Sequence, residues 1–268
     1  GMITPSNSNG ITDLLSIEST PALPDPRRYV VLPLFSTRGY KQKKYSVASA
    51  SGLNQWNANG RARTFGECYV PIPSWIHDRI KNFFPPNTET MCLRLPNNKE
   101  VTAKLCQEGD KALMSQHNAD LMEWLFAMID GSVEKAKLRL SSARDGQNHP
   151  YTYDDLLAIR KDAVIVLKNE DGSFSIEAMP LGSYETFCEH FNRDDPTPLP
   201  YDELLLEIEA RAKKQAKLEQ EALAEELAKL KQEALAEEQA KLEQQAQAKK
   251  QTRAKKQARA KKGGQKEE

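Results

Sequence analysis

Residues 41–73 read KQKKYSVASASGLNQWNANGRARTFGECYVPIP. The part up to Thr64 is polar, basic and hard to fold on its own, whereas Cys68–Ile72 is a short apolar strand. No acidic residue lies between Asp25 and Glu67, but eight basic residues do, namely Arg27, Arg28, Arg38, Lys41, Lys43, Lys44, Arg61 and Arg63. With a first strand at Tyr29–Phe35, the pattern predicts a long positively charged loop, residues 36–67, called the basic loop below.

The side chains of the basic loop have the chemistry of a nucleic-acid contact. Amides and an indole are interleaved with its cations, at Asn54, Gln55, Trp56, Asn57 and Asn59. Arg and Lys reach guanine edges and phosphates, and Asn and Gln pair bidentately with adenine. We therefore expect DNA contacts here, with Lys41, Lys43 and Lys44 on phosphates. The alternative is an ordinary solvated loop, because positively charged loops are common.

Length and charge restrict how such a contact can be made. The chain has 268 residues, enough for one or two domains, and a net charge of zero. The residues up to Pro200 include 22 basic and 24 acidic ones, and the remainder 16 and 14. Neither part is globally basic, so nucleic-acid affinity must come from local patches.

The cellular setting is predicted from the cysteines and from the apolar runs. The four cysteines form no C-x-x-C pair and are expected to be buried free thiols in a reducing cytoplasm; they are Cys68, Cys92, Cys106 and Cys188. No signal peptide is recognisable, and the apolar runs are far shorter than the ~20 residues of a membrane span. We expect a cytoplasmic protein with no membrane partner.

The first 200 residues predict short strands and short helices. Residues 2–26 read as an irregular leader with a short helix at Ile11–Ile17. Further strands are expected at Thr90–Leu95, Glu100–Cys106, Lys111–Met114, Ala163–Leu167 and Phe174–Met179. Helices are expected at Trp75–Phe83, Ala119–Ile129 and Tyr153–Arg160, whereas Ser132–Arg144 could be helix or strand. Without repeated strand–helix alternation, the pattern favours a β-barrel-like domain over a Rossmann sheet.

The C-terminal part predicts one long helix. From Leu204 to about Lys262 strong helix formers dominate, in near-repeats of twelve residues at Lys217–Ala228, Lys229–Ala240 and Lys241–Thr252. Favourable i,i+4 pairs include Glu225–Lys229 and Glu237–Lys241. The leucines keep no strict heptad, so we expect a solvated helix, with coiled-coil self-association through 204–248 as an alternative. Lys249–Lys262, with eight basic residues and no acid, is either a phosphate-binding tail or a solvated end.

No catalytic signature accompanies the basic loop. Metal-dependent nucleases use D/E-x-K, and this triplet does not occur in the chain. Phospholipase-D-type nucleases use His-x-Lys, and none of the four histidines has Lys two positions later. Phosphate-loop, G-x-S-x-G, H-E-x-x-H and zinc spacings are also missing. We predict no catalytic centre, cofactor or metal in this chain, with an enzyme assembled from sequence-distant residues as the alternative.

The order of several short motifs resembles a known DNA-recognition domain. Ser51-Gly52-Leu53-Asn54, then Arg63, then Glu67–Pro73 resemble the start of the C-terminal domain of NgoFVII-family restriction endonucleases. The likeness covers about Val30 to Phe187, continuing through Phe83-Phe84-Pro85, Gln107 with Gly109, Lys111-Ala112-Leu113, Asn118, Leu156-Leu157 and the strand around Val164–Lys168.

The resemblance implies a plant B-three-type fold. This is a mainly β (α+β), seven-stranded open pseudobarrel with short helices, here at residues 27–200 and followed by the helical tail at 201–268. Two arms would grip the major groove of double-stranded DNA. By residue match the first arm is Asn54, Gln55, Trp56, Asn57, Asn59, Arg61 and Arg63, and the second arm is Gln107, Lys111, Ser115, Gln116, His117 and Asn118.

The likeness also implies a function, with two departures from the family pattern. Here Gln55 separates Asn54 from Trp56, and the family's phospholipase-D-type catalytic domain is absent. The implied function is a sequence-specific DNA-binding module of a bacterial restriction-modification system, which either targets a separate nuclease subunit or is a remnant or fragment of a nuclease. The alternatives are an adaptor that binds partners through the helical tail, or a nuclease with an unrecognised site. Trp56 could instead pin the loop, and His117 could be an ordinary surface histidine.

Overall fold

The computed structural model describes residues 29–58, 64–117, 119–144, 149–191 and 199–263. The expected leader with its helix at Ile11–Ile17 lies outside the described residues. So do four expected site residues, Asn59, Arg61, Arg63 and Asn118. The chain divides into two compact units, residues 1–212 and 213–268.

The first unit is a nearly closed barrel of seven strands within the described residues. The strands are β1 (Tyr29–Pro33), β2 (Val70–Pro71), β3 (Met91–Arg94), β4 (Glu100–Cys106), β5 (Ala112–Ser115), β6 (Lys161–Lys168) and β7 (Phe174–Pro180). Their order is β1-β6-β7-β3-β4-β5-β2, with every neighbouring pair antiparallel except β3 and β7. The predicted mainly β pseudobarrel with short helices is confirmed.

The sequence pattern explains how the strands form the core. In β3 and β4 alternate residues are buried, Leu93 and Val101 among them, so one face points inward and the other meets solvent. All of β1 is buried, because α5 (Ser183–Phe191) packs against it. β2 is shorter than the predicted Cys68–Ile72, since a proline cannot donate to a strand ladder.

Five short helices accompany the barrel: α1 (Ser74–Arg79), α2 (Asp120–Asp130), α3 (Val133–Arg144), α4 (Tyr153–Ile159) and α5. α2 buries the predicted apolar face, and α4 begins with a capping box between Thr152 and Asp155. The segment that could be helix or strand is the helix α3. The predicted helix at 75–83 is shorter, and α5 was not predicted.

The cysteine prediction is only partly right. All four thiols are free, and Cys68 and Cys188 are buried. Cys92 is exposed, because it occupies an outward position in the alternation of β3, and Cys106 is half-buried. Among the described residues, no helix combines the length and apolar character that a bilayer crossing requires.

The last helix, α6 (Tyr201–Gly263), contributes its first turns to the barrel unit. Leu204 and Ile208 are only 0% and 3% exposed. His190 Nε2 lies 3.1 Å from Glu207 Oε2, and Arg211 pairs with Glu189 and, at 2.7 Å, with Glu207. The helix begins where the domain boundary was expected, but the compact unit continues to residue 212.

In the second unit, residues 213–263 form a solvated helix, as predicted. Its leucines are exposed, and the predicted ion pairs Glu225–Lys229 and Glu237–Lys241 form at 2.9 and 2.7 Å. Self-association through this helix stays a prediction. Leu204 is not available for it, since this side chain is buried in the barrel unit.

Candidate nucleic-acid interface

The described part of the basic loop presents four exposed cations. Two short 3-10 helices, Tyr40–Gln42 and Gly52–Asn57, shape the loop. The side chains of Arg38, Lys41, Lys43 and Lys44 are exposed, and none has an ion-pair partner within the described residues. Among the described residues, no side chain therefore neutralises these four charges.

Aromatic contacts fix the root of the basic loop. The ring of Tyr45 stacks on Tyr153 of α4 at 4.8 Å between centroids, and Phe35 packs edge-on against Tyr45 at 5.3 Å. The Tyr45 hydroxyl donates to Glu185 Oε1 of α5 at 2.7 Å. Such aromatic pairs add about 0.5–1.5 kcal/mol beyond their burial, so the loop begins from a rigid base.

Asn54 holds the loop from inside. It is fully buried; its Nδ2 donates to the carbonyl oxygens of Ala48 (2.9 Å) and Tyr151 (2.8 Å), and its Oδ1 accepts from the Tyr151 N–H at 2.8 Å. The amide has no free edge for a base in this arrangement. This corrects the expectation that Asn54 reads DNA: its role is to connect the loop to the segment before α4.

The next three residues of the first arm are half-buried. Asn57 Nδ2 donates to the carbonyl oxygen of Ser49 at 2.8 Å. Gln55 Oε1 and Trp56 Nε1 are buried and have no hydrogen-bond partner within the described residues. Unpaired buried polar atoms are rare and costly, at about 1–3 kcal/mol each. The polar side chains in this part of the loop therefore have hydrogen-bonding groups without partners among the described residues.

Replacing Asn54 by alanine should lower the free energy of unfolding by about 3–5 kcal/mol. Three hydrogen bonds are lost at about 1 kcal/mol each, and the buried Tyr151 N–H is left without its acceptor. The matched control is Asn57→Ala, which loses one partly exposed bond and should cost less than about 1 kcal/mol. Urea unfolding of both variants measures the difference, and equal losses would contradict the bracing role of Asn54.

The far end of the basic loop packs on α2. The Phe65 ring lies 5.9 Å from that of Phe126, edge-on. Gly66 has φ +79°, and a Cβ atom there would lie only 2.1 Å from the Cβ of Ala119. Both the positive φ and the close approach require glycine. The loop is thus fixed at its start, at Asn54 and at its end.

The first half of the second arm is a tight turn held by α1. Gln107, half-buried, leads into the turn Glu108–Asp110 with φ +68°. His77 Nε2 lies 2.9 Å from the Asp110 carbonyl oxygen, and Asn87 Nδ2 donates to Asp110 Oδ1 at 3.0 Å. Lys111 follows with an exposed side chain.

A cleft of about 320 Å³ brings Lys111 and the basic loop together. Its apolar floor includes Leu34, Leu53 and Ile72 of the barrel unit. The rim combines Lys111 with small residues of the basic loop, Ser36, Thr37, Val47, Ala48 and Ser51. Two of the predicted contact regions therefore border one concave surface.

The second half of the second arm lies at the other end of β5, away from the cleft. Ser115, Gln116 and His117 are at the opposite end of β5 from Lys111, about 13 Å away at ~3.3 Å per residue. Ser115 Oγ accepts from the Leu121 N–H at 3.1 Å, so it supports the start of α2. Gln116 and His117 are exposed. The expectation of one continuous second arm is corrected, because β5 divides it.

The sequence analysis missed two acids behind the loop, the buried Asp162 and the half-buried Glu185. Asp162 is 1% exposed; its Oδ2 accepts from the Tyr153 hydroxyl at 2.8 Å, and its Oδ1 is buried without a partner. Glu185 Oε2 is likewise buried without one among the described residues. Burial, reinforced by the charge of Glu185, raises the pKa of Asp162 to about 7. The hydroxyl of Tyr153, one of the two stacked tyrosines, therefore donates to a carboxyl group whose charge changes near neutral pH.

Comparison with known proteins leaves the resemblance without independent support. No protein-family model and no curated protein matches the chain. Within the described ranges, no group of three or more His, Cys, Asp or Glu side chains could hold a metal ion. The candidate interface thus depends on its own geometry: a fixed basic loop, a neighbouring lysine and a shared cleft.

Proposed function

We propose that the first unit is a sequence-specific double-stranded DNA-binding module of restriction-endonuclease type, which targets a separate nuclease. The observation that carries this proposal is the set of four exposed, unpaired cations on a fixed loop. Phosphate contacts require cations that are not neutralised within the protein. A loop held by Asn54 and Tyr45 also loses little conformational entropy on binding.

The proposed roles follow the exposure of each side chain. Arg38, Lys41, Lys43 and Lys44 contact phosphates and set the register on the duplex. Base contacts by the half-buried Gln55, Trp56 and Asn57 require a local opening of the loop, because Gln55 Oε1 and Trp56 Nε1 are buried. The other predicted base contacts remain part of the proposal, and Lys111 lines the cleft beside the basic loop. These contacts are Asn59, Arg61, Arg63, Gln107, Gln116, His117 and Asn118.

Selection of binders from a randomised duplex library, with the full chain at moderate salt, should enrich a short motif. Arg61→Ala or Arg63→Ala should abolish the enrichment, because each bidentate arginine–guanine pair supplies about 1–3 kcal/mol of discrimination. If no motif is enriched on either unmodified or cytosine-methylated DNA, the result contradicts the proposal.

The lysines should control affinity rather than sequence preference. The double variant Lys43→Gln/Lys44→Gln should reduce the slope of log K against log salt by about 2, at ~0.9 per phosphate contact. The control is Lys135→Gln, an exposed lysine of α3, which should leave the slope unchanged. Equal slopes in all three proteins would remove the basic loop from the interface.

The exposed leucines of α6 favour a second candidate, a partner-binding adaptor. Deleting residues after Ala212 separates the two candidates, because the barrel unit keeps Leu204 and Ile208. DNA binding that survives this deletion supports the loop as the reader. Binding that is lost assigns it to the basic segment Lys249–Lys262 instead.

A further inference from the structure

A second hollow lies beside the basic loop, with a volume of about 230 Å³. It is formed by the turn Tyr40–Gln42, by α1 and by α5. The residues that line it are Tyr40, Lys41, Trp75, Arg79, Cys188 and Phe191. We call it the cationic–aromatic pocket. Of these residues, only Lys41 was predicted from the sequence to contact a ligand.

The aromatic walls of the pocket are fixed. The indole Nε1–H of Trp75 donates to the Tyr184 hydroxyl at 3.0 Å. The Trp75 ring also lies 5.3 Å from Phe191 and 5.6 Å from Phe187. Since the hydrogen bond and both rings restrain the indole, the pocket offers planar apolar surfaces without a rearrangement.

The charged side chains that line the pocket are two cations, and the charge of a nearby carboxylate, Glu185, acts on Tyr40 and Cys188. Lys41 and Arg79 are exposed, and neither has an ion-pair partner within the described residues. The Arg79 guanidinium lies 5.8 Å from the Phe191 ring centre, so it stands at the aromatic wall. Burial raises the pKa of the Cys188 thiol to about 11, which keeps this group neutral near pH 7. No carboxylate lines the pocket among the described residues.

We propose that the cationic–aromatic pocket binds one nucleotide, with the base against the aromatic walls and the phosphate between Lys41 and Arg79. Aromatic side chains stack on any base, and cations bind its phosphate. The hollow is smaller than the roughly 300–1,000 Å³ of drug-sized sites, which suits a single base. The nucleotide comes either from solution or, if the DNA-binding function holds, from an unstacked position of the duplex.

Calorimetric titration of the full chain tests the pocket with three probes: deoxynucleoside monophosphates, the matching nucleosides, and inorganic phosphate. The monophosphates should bind at least about tenfold more tightly than either fragment, because only they use both walls and cations. Arg79→Gln and Lys41→Gln should each weaken monophosphate binding about tenfold, as expected for one charge-assisted contact. Lys135→Gln, an exposed lysine of α3 outside both the pocket and the basic loop, is the control. Equal affinity for monophosphate and phosphate, or no effect of Arg79→Gln, would contradict nucleotide binding in this pocket.

The two sources of the nucleotide are distinguished with a duplex that carries 2-aminopurine, whose fluorescence rises when the base unstacks. A rise with the native chain, lost in Arg79→Gln, identifies DNA as the source. A flat signal with intact monophosphate binding identifies the free nucleotide.

The pocket and the proposed function can fail separately. Duplex selection that persists in Arg79→Gln, with no monophosphate binding, overturns the pocket alone. Monophosphate binding that depends on Arg79, without any duplex motif, supports the pocket and overturns the DNA module.

Discussion

Leu204→Ala should lower the free energy of unfolding by about 2–5 kcal/mol, the usual cost of truncating a buried leucine. Leu204 is 0% exposed, whereas Leu206, two residues later on the same helix, is 66% exposed. Leu206→Ala is therefore a matched control with an expected change within about 0.5 kcal/mol. Urea unfolding compares the two, and similar losses would show that the start of α6 is not part of the barrel core.

The same argument predicts where the chain can be shortened. Ending it after Ala212 removes only solvated helix and should leave the unfolding midpoint of the barrel unchanged. Ending it after Pro200 removes Leu204, Ile208 and the Glu207 partner of His190. Together these losses approach the 5–15 kcal/mol total stability of an ordinary domain. We expect the shorter chain to lose its cooperative transition, and equal midpoints for the two lengths would contradict this.

The second large effect is a pH dependence at Asp162. Its pKa rises from the ordinary 3.8 to about 7 in the folded protein, chiefly through burial. Between about pH 4 and pH 7 the folded protein keeps a proton that the unfolded chain has released. The contribution of this group to stability is therefore complete below about pH 4 and falls as the pH rises to about 7. At about 1.4 kcal/mol per pKa unit, the loss is roughly 4 kcal/mol.

Asp162→Asn should remove this dependence, because the amide stays neutral. Its oxygen can still accept from the Tyr153 hydroxyl, and its NH₂ offers a donor toward the Glu185 carboxylate. The variant should match the native protein near pH 4 and exceed its stability by a few kcal/mol at pH 8. Asp154→Asn, at an exposed position of α4, should keep the native pH profile. Parallel profiles for Asp162→Asn and the native protein would show that Asp162 is already ionised.

Local patterns predicted most of the barrel. β4 begins and ends at the predicted residues, because its alternation is regular and turns border it on both sides. α2 carries five apolar residues at helical spacing and was also predicted correctly. α5 was missed although Tyr184, Phe187, Cys188 and Phe191 follow helical spacing, since polar residues interrupt them. The burial of the first turns of α6 was not predicted, for a different reason. Helix propensity is continuous there, whereas burial depends on contacts with distant residues.

The chemistry of the candidate site stays a prediction, and its geometry could be predicted only in part. The four cations in the described part of the basic loop are exposed, as a contact surface requires. Asn54 has the same amide as a base reader, but its partner is Tyr151, 97 residues away, and no local pattern reveals that contact. Arg79 was overlooked for a similar reason, because only the fold places it beside Lys41. Residue type thus predicts what a loop can bind, and tertiary contacts determine which side chains are free to bind it.

The position of the basic loop also bears on how this protein avoids association. β1 and β2 are the two outer strands of the sheet, and no ladder joins them within the described residues. The loop packs against the edge strand β2: Gly52 lies against Pro71, and the Tyr69 N–H donates to the Gly52 carbonyl oxygen at 3.4 Å. Uncovered strand edges invite pairing between copies and aggregation. The loop that carries the proposed contact residues therefore also protects a strand edge, so shortening it should favour association between copies.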